Sequence, residues 1–244
     1  MQHLFLPNEQ ISGETARILG ADHLHLTRVL RARAGDPVIL LDNRGNAFRA
    51  VLVSLDKAET TARIVEAVVL PPEPSVFLTV AQALGKGDKF EQVIQHGTEV
   101  GAGAFIPLQA ERCVVELRTG KIAERVARWQ QIARSAAEQS HRLHIPEVTL
   151  PMDFTAWARE AACSAPALLL DPDPEASPLS SVLASLPVRP QRLTLAVGPE
   201  GGWSPRERAL APTTNLIRAS LGPRVLRTET AALVAISQIL YHFE

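Results

Sequence analysis

Cysteine is scarce: the 244 residues contain two, Cys113 and Cys163. They stand fifty positions apart with no paired-ligand spacing, so neither a disulfide framework nor a zinc site is indicated, and both read as core thiols. No apolar run approaches the roughly 18 to 20 residues that a membrane span needs. The start, MQHLFLPNEQ, lacks the charged and apolar regions of a signal peptide. A cytoplasmic protein without membrane attachment is therefore expected. There is no surplus of either charge sign. The net charge of −1 argues against a protein that coats nucleic acid by bulk electrostatics. Internal repeats and low-complexity tracts are missing as well, and 46% hydrophobic residues with 21% charged exclude collagenous, coiled-coil and wholly disordered classes. The chain is long enough for one large domain or two small ones.

The near-neutral total hides clustering. Arg28, Arg31, Arg33, Arg44 and Arg49 face only Asp36 and Asp42 over their stretch, with His23 and His25 just upstream. Further basic sets lie on residues 118 to 142 and 206 to 227. One such cluster reads as a solvated helix face, and three in one chain weaken that reading.

Residues 1 to 71 read as a small β-rich unit. Ala21 to Ala32 is a helical stretch with Leu26, Val29 and Leu30 on one face, stopped by Gly35-Asp36-Pro37. Val38 to Leu41 and Ala47 to Val53 are strand-like around the turn residues Asn43 to Asn46, a hairpin, and Ala62 to Leu70 supplies another strand. Pro71-Pro72-Glu73-Pro74 cannot sit in a helix or a central strand and marks the boundary.

From residue 75 to 244 strands alternate with helices. Val76 to Leu84 is a strand. Asp88 then opens a helix with Phe90, Val93, Ile94 and Val100 at helical spacing, ended by Gly101. After the strand Ala104 to Leu108, a helix running to about Ser140 carries a stripe of Ile122, Val126, Trp129, Ala133 and Ala136, with Arg125, Arg128 and Arg142 expected to point away. Strands follow at Ala167 to Leu170, Leu193 to Val197 and Leu216 to Ser220. A last helix runs from about Thr228 to Tyr241, with Leu233, Ile236 and Leu240 on one face. Such alternation implies a mostly parallel sheet, whose ligands bind at the carboxyl ends of its strands.

Two loops at such strand ends stand out. Gly198-Pro-Glu-Gly-Gly-Trp-Ser-Pro brings glycine backbone to a strand end, then Ser204 as a cap with Pro205 in the first helical position. It is neither the G-x-G-x-x-G fingerprint nor a phosphate loop, although an ordinary tight connection without a ligand would also use these dipeptides. Leu221-Gly-Pro-Arg-Val-Leu-Arg-Thr-Glu-Thr-Ala follows the last strand. Thr228 or Thr230 suits a cap and Glu229 suits a helix N-terminus, whereas Arg224 and Arg227 are left without a structural reason.

These two stretches resemble the RsmE family of ribosomal RNA methyltransferases, within the SPOUT superfamily. The resemblance extends through Gly85-Lys-Gly-Asp-Lys-Phe-Glu, Gln95-His-Gly-Thr-Glu-Val-Gly, Glu111-Arg-Cys-Val-Val, Arg128-Trp, Ala137-Glu-Gln-Ser-His-Arg and, in the N-terminal part, His25-Leu-Thr-Arg-Val-Leu-Arg and Gly35-Asp. It covers nearly the whole chain, with departures at Gln2, His3, His96 and Trp203. It implies an α/β protein: a PUA-like β-barrel over residues 1–71 that holds RNA, then a SPOUT methyltransferase domain over 75–244 with a deep C-terminal trefoil knot. It further implies S-adenosylmethionine held by Leu170, Gly198, Glu200, Gly201, Gly202, Leu221, Gly222 and Leu226. The implied reaction methylates N3 of a uridine, conventionally number 1498, in 16S ribosomal RNA of the small subunit. A homodimer paired through the knotted domain is implied too, with Leu233, Ile236 and Leu240 of the last helix near the interface.

Uridine N3 carries a proton at neutral pH, so a base or an anion stabiliser is needed, and no metal is. Arg227 is the candidate to stabilise charge on the uracil carbonyls, with Glu229 to orient it or accept the proton; a purely structural Arg227–Glu229 pair is the competing reading. His25, Arg28, Arg31 and Arg224 are candidate RNA contacts. A SPOUT enzyme with another target, such as ribose 2′-O, and a non-catalytic ribosome-assembly factor are the alternatives.

Overall fold

The first hairpin is set by its turn. Asn43 and Gly45 take positive φ of 57° and 96°, and the Asp42 carboxylate accepts the N–H groups of Arg44 and Asn46. Strands β4 (Pro37–Leu41) and β5 (Ala47–Leu55) therefore pair antiparallel with Leu41 opposite Ala47. The computed structural model describes every residue except 116–118, 162–165, 187–188 and 215. Its chain forms two units: residues 1–73 with 137–145, and residues 74–136 with 146–244.

In the first unit, β1 (Gln2–Phe5), β2 (Ile11–Ser12), β3 (Thr15–Leu19) and β6 (Glu59–Val68) join the hairpin in a six-stranded sheet ordered β1-β4-β5-β6-β3-β2. Irregular pairing of β5 with β6 near Arg49 and Leu52 bends it. Leu4, Ile18, Leu26, Leu40 and Leu52 fill one core. Phe5, Ile39, Leu41 and Ala137 fill a second, so the segment 137–145 belongs with this sheet. The segment is pinned by Glu73, whose carboxylate accepts from Arg142 Nε at 3.0 Å and from the Leu143 amide at 2.9 Å. Arg142, expected to point away from the helix stripe, is bound by Glu73, with 9% of its side chain exposed.

The stretch after β3 is helical, but only Leu26 of the three expected apolar residues is buried; Val29 and Leu30 are exposed. A short α1 (Gly20–Leu24) widens into a π turn over His25–Val29, in which the Leu30 amide donates to the His25 carbonyl. The wider turn breaks the three-and-four spacing that would keep these side chains on one face.

The second unit has a wholly parallel sheet. Its main order is β10 (Met152–Asp153), β8 (Ala104–Gln109), β7 (Phe77–Ala83), β13 (Arg192–Val197), β11 (Ala167–Leu170), β14 (Leu216–Ser220) and β12 (Ser177–Pro178), with β9 (Glu147–Val148) beside β8. All four residues of β11 are buried, as expected of a central strand covered on both faces. Helix α2 (Lys89–Val100) lies so close to β8 that a Cβ on Gly97 would stand 2.9 Å from the Phe105 ring. Phe90, Val93 and Ile94 are buried, but Val100, expected with them, is exposed because the helix ends beside it at Gly101.

In α3 (Ile122–Gln139), Trp129, Ala133 and Ala136 of the expected stripe are buried while Ile122 and Val126 are only partly covered, and Trp129 meets Phe90 edge-on at 4.7 Å. Arg125 does not point away from it: its guanidinium lies 5.2 Å over the Trp129 ring. Shorter α4 (Phe154–Ala161), α5 (Leu179–Ser185) and α6 (Pro205–Arg208) precede the last helix, α7 (Thr228–Phe243). The buried face of α7 is Ala232, Ala235, Ile236, Ile239 and Leu240. Ile236 and Leu240 are therefore consumed by this chain's own core and are closed to a second copy, while Leu233 is only partly covered. Cys113 is half-buried against the core and burial pushes its thiol pKa up; Cys163 lies outside the described residues. Among the described residues no helix is long and apolar enough to cross a membrane.

Candidate functional site

At the carboxyl ends of β11, β13 and β14 the chain leaves a cavity of about 490 Å³, within the usual range for small-molecule sites. Leu170, Gly198, Glu200, Gly201, Gly202, Leu221, Gly222 and Leu226 all line it, together with Arg224 and Arg227. Residues far apart in sequence are brought together there by parallel strands that end on one side.

The loop after β13 is shaped by Trp203. Its indole is fully buried and Nε1 donates to the Leu170 carbonyl at 2.8 Å, so a Cβ on Gly198 would stand 3.1 Å from the ring. Gly202 turns at φ +65°, and Ser204 then opens α6 with a reciprocal capping box to Glu207, as its Ser-Pro signature suggests. Ser204 Oγ also donates to Glu111 at 2.6 Å. The loop after β14 turns at Gly222, φ +103°, where an added Cβ would meet open space.

Thr228 does not cap α7. Its hydroxyl donates to the Gly198 carbonyl at 2.6 Å and accepts from Gln82 Nε2 at 2.8 Å, which ties the two ligand loops to the end of β7. The N-cap position is Arg227, with no side-chain cap, and Thr230 is exposed. Among the described residues no ion pair joins Arg227 to Glu229; Arg227 stands exposed, and Glu229 faces Lys89 instead.

Lys89 Nζ lies 2.9 Å from Glu200 Oε1 and 3.7 Å from Glu229 Oε2. Glu200 also accepts the Lys86 amide, and a Cβ on Gly85 would come within 2.9 Å of its oxygen, so this glycine admits the carboxylate. Burial alone would raise the Glu200 pKa, but the bonds from Lys89 and the Lys86 amide hold it below the usual range; the bond to Glu200 raises that of Lys89. Asp171, also on the lining and with its side chain fully buried, accepts from Arg208 at 3.0 Å and from Arg218 at 3.1 Å. Gln82 Oε1 and Glu229 Oε2 are buried acceptors without a hydrogen-bond partner.

Sequence reasoning missed Lys89, Gln82, Asp171 and Arg208. Lys89 lies in the Gly85-Lys-Gly-Asp-Lys-Phe-Glu stretch, where no role attached to it, and Asp171 directly follows a predicted strand end. The polar partners of the other two are distant in sequence. In the N-terminal unit His25, Arg28 and Arg31 are exposed, whereas His23 is buried against Thr60 at 2.9 Å.

A family model described as an RNA methyltransferase domain matches residues 72–240, and one described as an RNA methyltransferase PUA domain matches 20–65. Fold, cavity and these matches define an RNA methyltransferase. The chain is 38% identical to the ribosomal RNA small subunit methyltransferase E of Synechocystis sp., covering 97% of this chain and 76% of that one. It is 36% identical to the protein of the same name from Bacillus subtilis, covering 100% and 98%. A crystal structure of ribosomal RNA small subunit methyltransferase E from Neisseria gonorrhoeae bound to S-adenosyl methionine matches with a TM-score of 0.86 at 31% identity, covering 99% and 97%. The chain belongs to the ribosomal RNA small subunit methyltransferase E family.

Proposed function

We propose that the protein transfers the methyl group of S-adenosylmethionine to N3 of one uridine, conventionally number 1498, in 16S ribosomal RNA of the small subunit. The observation that carries this is the convergence of both glycine loops on one cavity at the strand ends. The residues fit the donor: Leu170, Leu221 and Leu226 supply apolar wall, and Gly198, Glu200, Gly201, Gly202 and Gly222 bring backbone to its edge, two of these glycines at positive φ. When bound, S-adenosylmethionine supplies an electrophilic methyl group. Holding N3 in line with that carbon supplies much of the rate, and the chain needs no metal for it.

Arg227 is the residue we assign to the uracil carbonyls: it lines the cavity mouth, exposed, and is not engaged by Glu229. Glu229 follows at the start of α7, its Oε2 buried beside Lys89 without a hydrogen-bond partner, and we assign it to orient Arg227 or to accept the N3 proton. In the N-terminal unit His25, Arg28 and Arg31 contact RNA, joined by Arg224 at the cavity. The reading includes residues 1–71 as a PUA-like β-barrel, 75–244 as a SPOUT domain with its C-terminal chain knotted, a homodimer, and a cytoplasmic location. Since Ile236 and Leu240 are internal, Leu233 is the one of the three left to meet a second copy.

A methyl on N3 blocks the Watson–Crick edge, so reverse transcription halts beside the modified uridine. Deleting the gene should abolish one halt near the 3′ end of 16S RNA, and purified protein with S-adenosylmethionine should restore it on small subunits. A halt that persists in the deletion strain would refute the assignment.

A further inference from the structure

The Gly85-Lys86-Gly87-Asp88-Lys89 segment holds Glu200 and also delivers a cation to the cavity wall. Of the cations lining the cavity, Arg208 is tied by two nitrogens to Asp171, and Arg224 and Arg227 are exposed on a loop. Lys89 differs from all three. It rises from the first turn of α2 and is held by carboxylates from two other elements, Glu200 of the loop after β13 and Glu229 of α7. Its side chain is 28% exposed and lines the cavity.

The geometry separates charge from hydrogen bonding. At 2.9 Å Glu200 takes one N–H of the three, whereas 3.7 Å to Glu229 is too long for a hydrogen bond. Lys89 therefore keeps donors for a ligand while two anions fix its position. Gly85, which leaves room for the Glu200 carboxylate, and Thr228, which ties the start of α7 to Gly198, hold the two anions in place.

We propose that Lys89 is a further catalytic residue of the reaction proposed above: its ammonium donates to a uracil carbonyl and stabilises the negative charge left on O2 and O4 as the N3 proton departs. The inference rests on that reading of the reaction. A cation fixed before the charge appears stabilises it without reorganisation, which is where preorganised donors contribute most. The charged groups facing Lys89 are Glu200, Glu229 and Arg227, and the first two keep it protonated through the pH range of the assay.

The test uses the full chain, small subunits lacking the methyl group, and S-adenosylmethionine, with single-turnover methyl transfer as the readout. Lys89→Met should slow transfer by about 100-fold while calorimetry finds cofactor affinity within about threefold of the parent. The deficit should shrink as pH rises, because the ring then ionises without the help of Lys89. Lys89→Arg, which keeps the charge, should recover most of the rate and guards against a folding defect in the Met variant. A rate at the parent level in Lys89→Met, or a deficit equal at every pH and unrelieved by Arg, would overturn the proposal. If instead the parent makes no N3-methyluridine, the underlying reading fails, and the two failures are told apart.

Discussion

The N-terminal sheet and the cavity of the C-terminal unit treat charge in opposite ways. In the N-terminal sheet the arginines sit on exposed surface: Arg17 and Arg49 pair with Glu59 and Glu66 in solvent, and Arg28 and Arg31 stand exposed near the π turn. In the C-terminal unit charge is taken inward and matched, with Asp171 buried between Arg208 and Arg218, and Lys89 held between Glu200 and Glu229. Loose exposed cations suit an irregular polyanion, whose phosphates can be met in many arrangements. Matched, fixed charges suit one small ligand in one pose.

The contrast breaks most visibly if the buried charge set is opened. Asp171→Ala leaves two arginines facing an empty site and should cost about 3–5 kcal/mol in urea unfolding. Glu59→Ala, which removes the exposed partner of Arg17, should cost about 0–1 kcal/mol. Equal costs would mean that burial does not separate the units.

Next in size is cofactor affinity. Gly202→Val places a β-branched residue at φ +65°, strained by about 1–2 kcal/mol, beside the cavity wall. Calorimetry should find S-adenosylmethionine binding lost while circular dichroism stays native, and unchanged affinity would move the cofactor site elsewhere. Smaller still, replacing both Arg28 and Arg31 by Ala should flatten the salt dependence of RNA binding, by roughly 0.7 in the log–log slope for each phosphate no longer neutralised, and leave cofactor affinity alone. An unchanged slope would return these arginines to a merely solvated surface.

The subtlest difference is in pH. Burial, then the charge of His141 stacked at 3.9 Å, lowers the His3 pKa below its ordinary 6.5. The neutral ring is the one that folding favours. The stability that His3 contributes is complete above that value and drains as pH falls through the lower folded one. Glu200 behaves likewise, but only below its ordinary 4.5. Hydrogen exchange at pH 7.5 and 5.5, corrected for intrinsic rates, should thus show protection falling in β1 and the 137–145 segment while β11 and β13 hold. Equal loss in both units would contradict the assignment.

Periodicity was enough for most of the scaffold, because strand runs such as Ala167 to Leu170 and the turn at Asn43 to Asn46 are local signals. It failed where geometry departs from a regular helix, as at Val29 and Leu30 around the π turn, or where an element ends, as at Val100. The site was legible through its glycines and through family resemblance: the eight residues named for the cofactor line the cavity, whereas Glu229, named with Arg227 for the chemistry, does not. Its charge pattern was not. Glu229 reads locally as a partner for Arg227 two positions away, yet its cation comes from Lys89, 140 positions upstream. Arg142 reads only as an arginine turned from the helix stripe, and its partner Glu73 lies 69 positions upstream. Long-range pairing of this kind leaves no mark on local sequence.

The central claim is the identity of the modified atom. Small subunits from a strain lacking the gene, incubated with purified protein and S-adenosylmethionine, can be digested to nucleosides and read by mass spectrometry against standards. N3-methyluridine as the single new methylated nucleoside is the predicted result. A 2′-O-methyl nucleoside, or no methyl at all on a protein that binds the cofactor, would contradict it.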